Sequence, residues 1–171
     1  ESVDEQFEIA APDPSALIEA LRGLGYTLST AIADLIDNSI TAQARRIEIN
    51  FQWAGKDSHI CILDDGNGMS EEVLFEAMRP GSKSPLDTRA SDDLGRYGLG
   101  LKTASFSQCR ELCVVSKPDG GSPSSYTWNL DYVCKHKEWR LLKSHTPSAK
   151  ACLDQVSDRP SGTAVVWSAL D

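Results

Sequence analysis

The 171-residue chain has no apolar run approaching the roughly 20 residues of a membrane-crossing helix. Residues 1–9 are acidic and lack the apolar core of a signal peptide. The chain also lacks an even, regularly spaced cysteine set. Its five cysteines (Cys61, Cys109, Cys113, Cys134 and Cys152) are scattered through apolar stretches, which argues against a disulfide framework and predicts reduced thiols in an intracellular setting. Cys134-x-His136 has no second ligand pair at a usual spacing, so a zinc site is not expected. There is no G-x-G-x-x-G after a strand and no G-x-x-x-x-G-K-[ST], which excludes the dinucleotide fingerprint and the P-loop. Internal repeats and long low-complexity tracts are absent.

Positive charge is scarce. Seventeen Lys and Arg stand against 25 Asp and Glu, and the net charge of −8 argues against nucleic-acid binding by the whole surface. Residues 131–150 depart from this balance, with Lys135, Lys137, Arg140, Lys143 and Lys150 against two acids; a solvated face is the expected role.

What is present fits one globular domain over 1–171, with 40% apolar and 25% charged residues. The chain begins without Met and ends just after an apolar strand, so it reads as a domain of a longer protein, cytoplasmic if bacterial and nuclear if eukaryotic. Ser15 is expected to cap a short helix to about residue 22, ended by Gly23 and Gly25. A second helix over 27–44 would bury Ala31, Leu35, Ile36 and Ile40. Alternation predicts strands at 46–53 and 59–63, joined by a turn at 54–57. Ser70 would cap a helix to about residue 78, with Glu71 and Glu72 in its first turn.

Residues 80–98 hold several glycines and prolines and little apolar content, the composition of a long irregular loop or lid. A helix over 99–108 follows, then strands at 111–116, 125–130, 138–143 and 163–169, with Gly120-Gly121 as a hairpin turn. The element order predicts an α/β (α+β) two-layer sandwich: one mixed, mostly antiparallel sheet with helices on one face.

Three polar clusters punctuate this frame. Asp34 and Asn38 stand four apart on the second helix and so share a face. An amide oxygen suits Mg2+, and a carboxylate one turn earlier can orient or deprotonate a water. Asp64-Asp65-Gly66-Asn67-Gly68-Met69 follows an apolar strand; its glycines allow close backbone approach, and a carboxylate there can accept from an exocyclic amine. A calcium loop would use Asp65, Asn67 and Glu76, but Met69 and Ser70 stand where a ligand and the required glycine belong. Gly95-Arg96-Tyr97-Gly98-Leu99-Gly100-Leu101-Lys102 closes the loop and opens a helix, whose free amides and positive dipole end attract phosphate; Lys102 adds a cation.

Taken together and in this order, residues 31–42, 64–70 and 95–102 resemble the N-box, G1 box and G2 box of the GHKL ATPase superfamily, which includes gyrase, Hsp90-type chaperones, histidine kinases and MutL. They are most similar to its MORC-like and Hsp90-like branch, and Thr163 resembles that branch's closing threonine. The resemblance spans about residues 15–170. It implies a Bergerat-type fold that binds ATP with Mg2+. It places Asn38 on the metal, Asp34 as general base, and Asp64 on the adenine amine with Thr163 assisting through water. Gly66, Gly68 and Met69 would shape the adenine pocket. Gly95, Arg96, Tyr97, Gly98, Leu99 and Gly100 would cradle the phosphates with Lys102 close by, and Lys83 and Ser84 would reach them from a lid at 80–98.

One departure matters. Clamp-type members carry glutamate where this chain has Asp34, and the side chain here is one methylene shorter, so slow hydrolysis is expected. The implied function is an ATPase that closes its lid and dimerises on ATP, with DNA or client proteins meeting regions outside this chain and no membrane contact. The alternatives are a non-hydrolysing nucleotide sensor, a DNA-contacting module using residues 135–150, and a histidine-kinase-type phosphotransferase. The last needs a phosphoacceptor on a preceding helix, whereas His59, His136 and His145 fall on expected strands or loops.

Overall fold

A computed structural model of the chain describes residue 6 and residues 8–81 and 99–171, with Leu99 by its backbone. The first helix, α1 (Pro14–Arg22), is capped by Asp13, whose side chain accepts from the Ala16 amide at 3.0 Å. The cap falls two residues ahead of Ser15 because Pro14, with no amide to satisfy, is preorganised for the first helical position. Thr27 caps α2 (Leu28–Thr41). The buried line of α2 runs Ala31, Leu35, Ser39, a strict four-residue step. Ser39 therefore takes the buried place expected of Ile40, which is 60% exposed.

Next come β1 (Ile47–Gln52), β2 (His59–Asp64) and α3 (Glu71–Met78), the last capped by Ser70 as expected. After α4 (Leu99–Phe106) come β3 (Cys109–Lys117), β4 (Ser124–Asn129), α5 (Leu130–His136), α6 (Lys150–Asp158) and β5 (Gly162–Leu170). The sheet order is β1-β2-β5-β3-β4, so the last strand lies in the centre. Each of its four pairings is antiparallel, in line with the mostly antiparallel sheet expected.

Strict alternation splits the sheet into two faces. Ile60, Ile62, Leu112, Val114, Val165 and Trp167 point into the main core, beneath α1 to α5. Cys61, Leu63, Cys113, Val115, Ala164 and Val166 point the other way and pack on Ala149, Cys152 and Val156. The expectation of helices on one face thus holds for five helices among the described residues, while α6 covers part of the second face. There the Cys61 and Cys152 thiols hydrogen-bond, and the five cysteines are all free.

The strand expected at 138–143 does not form. Asn129 ends β4 by accepting from the Tyr132 amide at 2.9 Å, which starts α5 instead. Lys137 in a left-handed conformation stops it, and only Leu142 returns, bridging Thr127. His136 therefore ends a helix rather than lying on a strand or loop.

The tryptophans sit at very different depths. Trp128 and Trp167 are fully buried, and the Trp128 indole donates to Met78 O at 2.8 Å. Trp53 is 72% exposed and stacks on Phe51 beside the sheet's β1 edge. No helix among the described residues is long and apolar enough to cross a membrane.

Candidate functional site

Antiparallel register lines up Ile47, Asp64, Thr163 and Ser116 as one row across four strands. Directly opposed residues share a face, and this row continues the side that carries Ile62, Val165 and Val114, under the main helix layer. Asp64 is 4% exposed at the end of β2. Ser39 of α2 donates to its Oδ2 at 2.7 Å and the Gly66 amide to its Oδ1 at 2.9 Å. Burial raises the Asp64 carboxyl above its ordinary range, while the bonds from Ser39, the Gly66 amide and the Thr163 amide pull it down. Three bonds on a carboxylate that can accept about four leave it room for one more donor.

The row continues through hydroxyls. Ser116 Oγ lies 2.7 Å from Thr163 Oγ1 and accepts from the Met69 amide at 2.8 Å. Met69 is itself buried, so the turn after β2 is pinned to β3. The two glycines of that turn meet the protein's own backbone. A Cβ on Gly68, whose φ is +67°, would stand 1.9 Å from Lys117 O. One on Gly66 would stand 2.8 Å from Ala42 O. The neighbouring Asp65 turns outward, where its Oδ1 accepts from the Arg45 and Arg46 amides at 2.7 and 2.8 Å. Those bonds, that from Arg46 foremost, hold its carboxyl below the usual range. Asp65 thus fixes the turn between α2 and β1.

On α2, Asp34 and Asn38 are half-buried and flank the buried line one position to its N-terminal side. The Tyr26 hydroxyl bonds Asp34; burial first, then that bond, raises the Tyr26 pKa. Among the described residues the Asn38 amide side chain makes no hydrogen bond, so its oxygen is open to a hard cation such as Mg2+. Gly100 in the first turn of α4 is exposed, and among the described residues a Cβ there would meet no atom within 4 Å outside its own helix and chain neighbours. Lys102, one turn in, is 1% exposed, and its Nζ donates to Ala77 O at 2.9 Å and Arg79 O at 2.7 Å. Lys83, Ser84, Gly95, Arg96, Tyr97 and Gly98 lie outside the described residues, as does most of the lid expected at 80–98.

Ser39, Ser116 and Tyr26 were not anticipated as site residues. The step of four from Leu35 could have revealed Ser39 as buried; Ser116 becomes visible only through strand register. Among the described residues no group of three His, Cys, Asp or Glu could hold a metal, Cys134 and His136 included. A separate cleft of about 530 Å³, lined by Leu17, Leu21, Phe75, Trp128, Trp139 and Leu141 among others, shares no residue with the Asp64 row.

Comparison with known proteins adds to this geometry. A family profile described as histidine kinase-, DNA gyrase B-, and HSP90-like ATPase matches residues 26–163. The chain is 38% identical over 91 residues to ATPase morc-1 of Caenorhabditis elegans, covering 53% of this chain and 10% of that protein. It is 33% identical over 93 residues to human ATPase MORC2, covering 52% of this chain and 9% of that protein. To the DNA mismatch repair protein MutL of Pelotomaculum thermopropionicum it is 40% identical over 89 residues, covering 52% and 14%. The aligned part spans about a tenth of the length of the MORC relatives.

Proposed function

The chain belongs to the histidine kinase-, DNA gyrase B-, and HSP90-like ATPase family, and from that premise we propose that it binds ATP with Mg2+ between α2, the turn after β2 and the start of α4. We propose further that hydrolysis is slow and that bound ATP closes a lid at 80–98 and drives homodimerisation.

The observation that carries this reading is Asp64: a buried carboxylate, bonded by Ser39 and the Gly66 and Thr163 amides, with acceptor capacity left for one more donor. The exocyclic amine of adenine is the complementary donor, and Thr163 stands beside Asp64 in the same row. Asn38 would hold Mg2+ through its amide oxygen, the metal keeping several waters. Bound there, the cation neutralises phosphate charge. The first-turn amides of α4 face phosphate with the positive end of the helix dipole. Asp34 would orient or deprotonate the attacking water, with Tyr26 fixing the carboxylate. The missing methylene relative to glutamate holds that base back from its water, and displacements on the order of 1 Å cost about a hundredfold in rate.

The sensor reading is favoured by the shorter Asp34 side chain, which holds the carboxylate back from its water. The DNA reading loses support, because Arg140, Lys143 and Lys150 pair with Glu138, Glu71 and Asp154. The deciding experiment is calorimetric titration of a non-hydrolysable ATP analogue, with and without Mg2+, into the wild type and Asp64→Asn. Magnesium-dependent binding that Asp64→Asn abolishes while remaining folded supports the proposal. Equal binding by both proteins ends it.

A further inference from the structure

We propose that Lys102 is a positioning residue, the C-terminal cap of α3, which ties the first turn of α4 to the point where the chain leaves α3 and does not itself bind phosphate. The last carbonyls of a helix have no intrahelical partner and carry its negative dipole end. At α3 the chain turns away at once, since Arg79 is extended with φ −64° and ψ 132°. Three consecutive carbonyls are then claimed by side chains. Lys102 Nζ takes Ala77 O and Arg79 O at 2.9 and 2.7 Å, and the Trp128 indole takes Met78 O at 2.8 Å between them.

The same device occurs a second time, at the end of a helix on the other face of the sheet. Helix α6 ends at Asp158, and its cap residue Arg159 is likewise extended, with φ −93° and ψ 157°. Lys117 Nζ donates there to Ser157 O at 2.9 Å and Arg159 O at 2.7 Å. In both cases one ammonium takes the carbonyls of the next-to-last helical residue and of the cap. Helix α6 lies on the sheet face opposite the Asp64 row. The geometry at Lys102 therefore answers the needs of a helix end and requires no ligand.

The functional consequence rests on the proposed ATP site. Lys102 fixes where the α4 amides stand, so phosphate would be met by backbone amides while the ammonium remains in the fold. Burial pushes the Lys102 amine down to about 8, so at pH 8 access rather than protonation limits its acylation.

The test is acetic anhydride labelling of wild-type protein at pH 8, read by mass spectrometry with and without the ATP analogue. It is joined by amide hydrogen exchange on Lys102→Met, Lys102→Arg and Lys117→Met. Lys102 is expected to resist acetylation equally in both nucleotide states. Lys102→Met should raise exchange at residues 77–81 and 99–102 together by about tenfold or more, with recovery in Lys102→Arg. Lys117→Met should do so only around 157–159. Ready acetylation without nucleotide and protection with it would overturn the inference, as would unchanged exchange at residues 77–81 in Lys102→Met. Should Lys102→Met fail to fold, the wild-type labelling and Lys102→Arg decide. If the wild type does not bind the analogue, the ATP reading fails, while the nucleotide-free labelling and the exchange still judge the cap.

Discussion

Asp64 is held in the fold at a cost to its ionised form, because burial raises its pKa more than its three hydrogen bonds lower it. For an acid shifted this way, the contribution to stability is greatest at low pH and is lost as pH rises through the folded-state value. Neutralising Asp64 should therefore leave thermal stability at pH 7 intact while removing an acceptor for the ligand. Binding follows the opposite course. Affinity for the ATP analogue is expected to be flat near neutrality and to fall on acidification at a higher pH than an ordinary aspartate, about 3.9, would give. Calorimetric titration of the wild type across the pH range reads that limb, and thermal melts of Asp64→Asn at pH 7 read the stability. Gly68 is constrained in another way. Alanine there would combine a positive φ with a Cβ 1.9 Å from Lys117 O. The expected loss in Gly68→Ala is about 3 kcal/mol or more by urea unfolding, since backbone must move. Both residues were legible as a motif, but the motif concealed the reason for the glycine: it makes room for β3, and no ligand is required to explain it. Ser116 left no mark in the sequence, because a lone serine in an apolar strand acquires meaning only from what register sets beside it.

At the scale of elements, most segments were readable, the short α1, α3 and α4 among them, but α5 and α6 were not. The α2 helix and the strands that became β1, β2, β3 and β5 carry enough periods to declare themselves. By contrast α5 and α6 have seven and nine residues, near the length at which an isolated helix is unstable and tertiary packing decides. The α6 signal, Cys152 and Val156 four apart, was present but lay in a polar stretch that read as loop. Its importance can be measured. Val156 is fully buried between α6 and the second sheet face, so Val156→Ala should cost about 2 kcal/mol in chemical denaturation. Because that face is separated from the Asp64 row by the sheet, affinity for the ATP analogue should not change.

For the whole molecule, the decisive feature is that the last strand occupies the centre of the sheet. The row of Asp64, Thr163 and Ser116 joins residues about 50 to 100 positions apart, and no local pattern encodes such pairing. The fold class was legible, because three motifs in order carry a family resemblance; the second helical cover and the place of Ser116 beside Thr163 were not. Charge acts at this scale too. Two copies of a chain with net charge −8 repel each other, and bound nucleotide adds negative charge. The proposed dimer should therefore be absent without nucleotide, form with the ATP analogue and Mg2+, and strengthen between about 50 and about 200 mM salt as screening shortens the repulsion. Sedimentation velocity reads each of these outcomes.

The graded depths of the tryptophans give the protein its own optical probe. Trp53, in water, should dominate red-edge emission and quench readily with acrylamide. Replacing it by phenylalanine should shift the spectrum to the blue and leave much of the remaining signal to indoles sealed in the core. Trp128 among them grips Met78 O, between the two carbonyls that Lys102 holds. A change in Trp53→Phe emission on adding nucleotide would then report movement around Trp128, Trp139 and Trp167, with no dye attached.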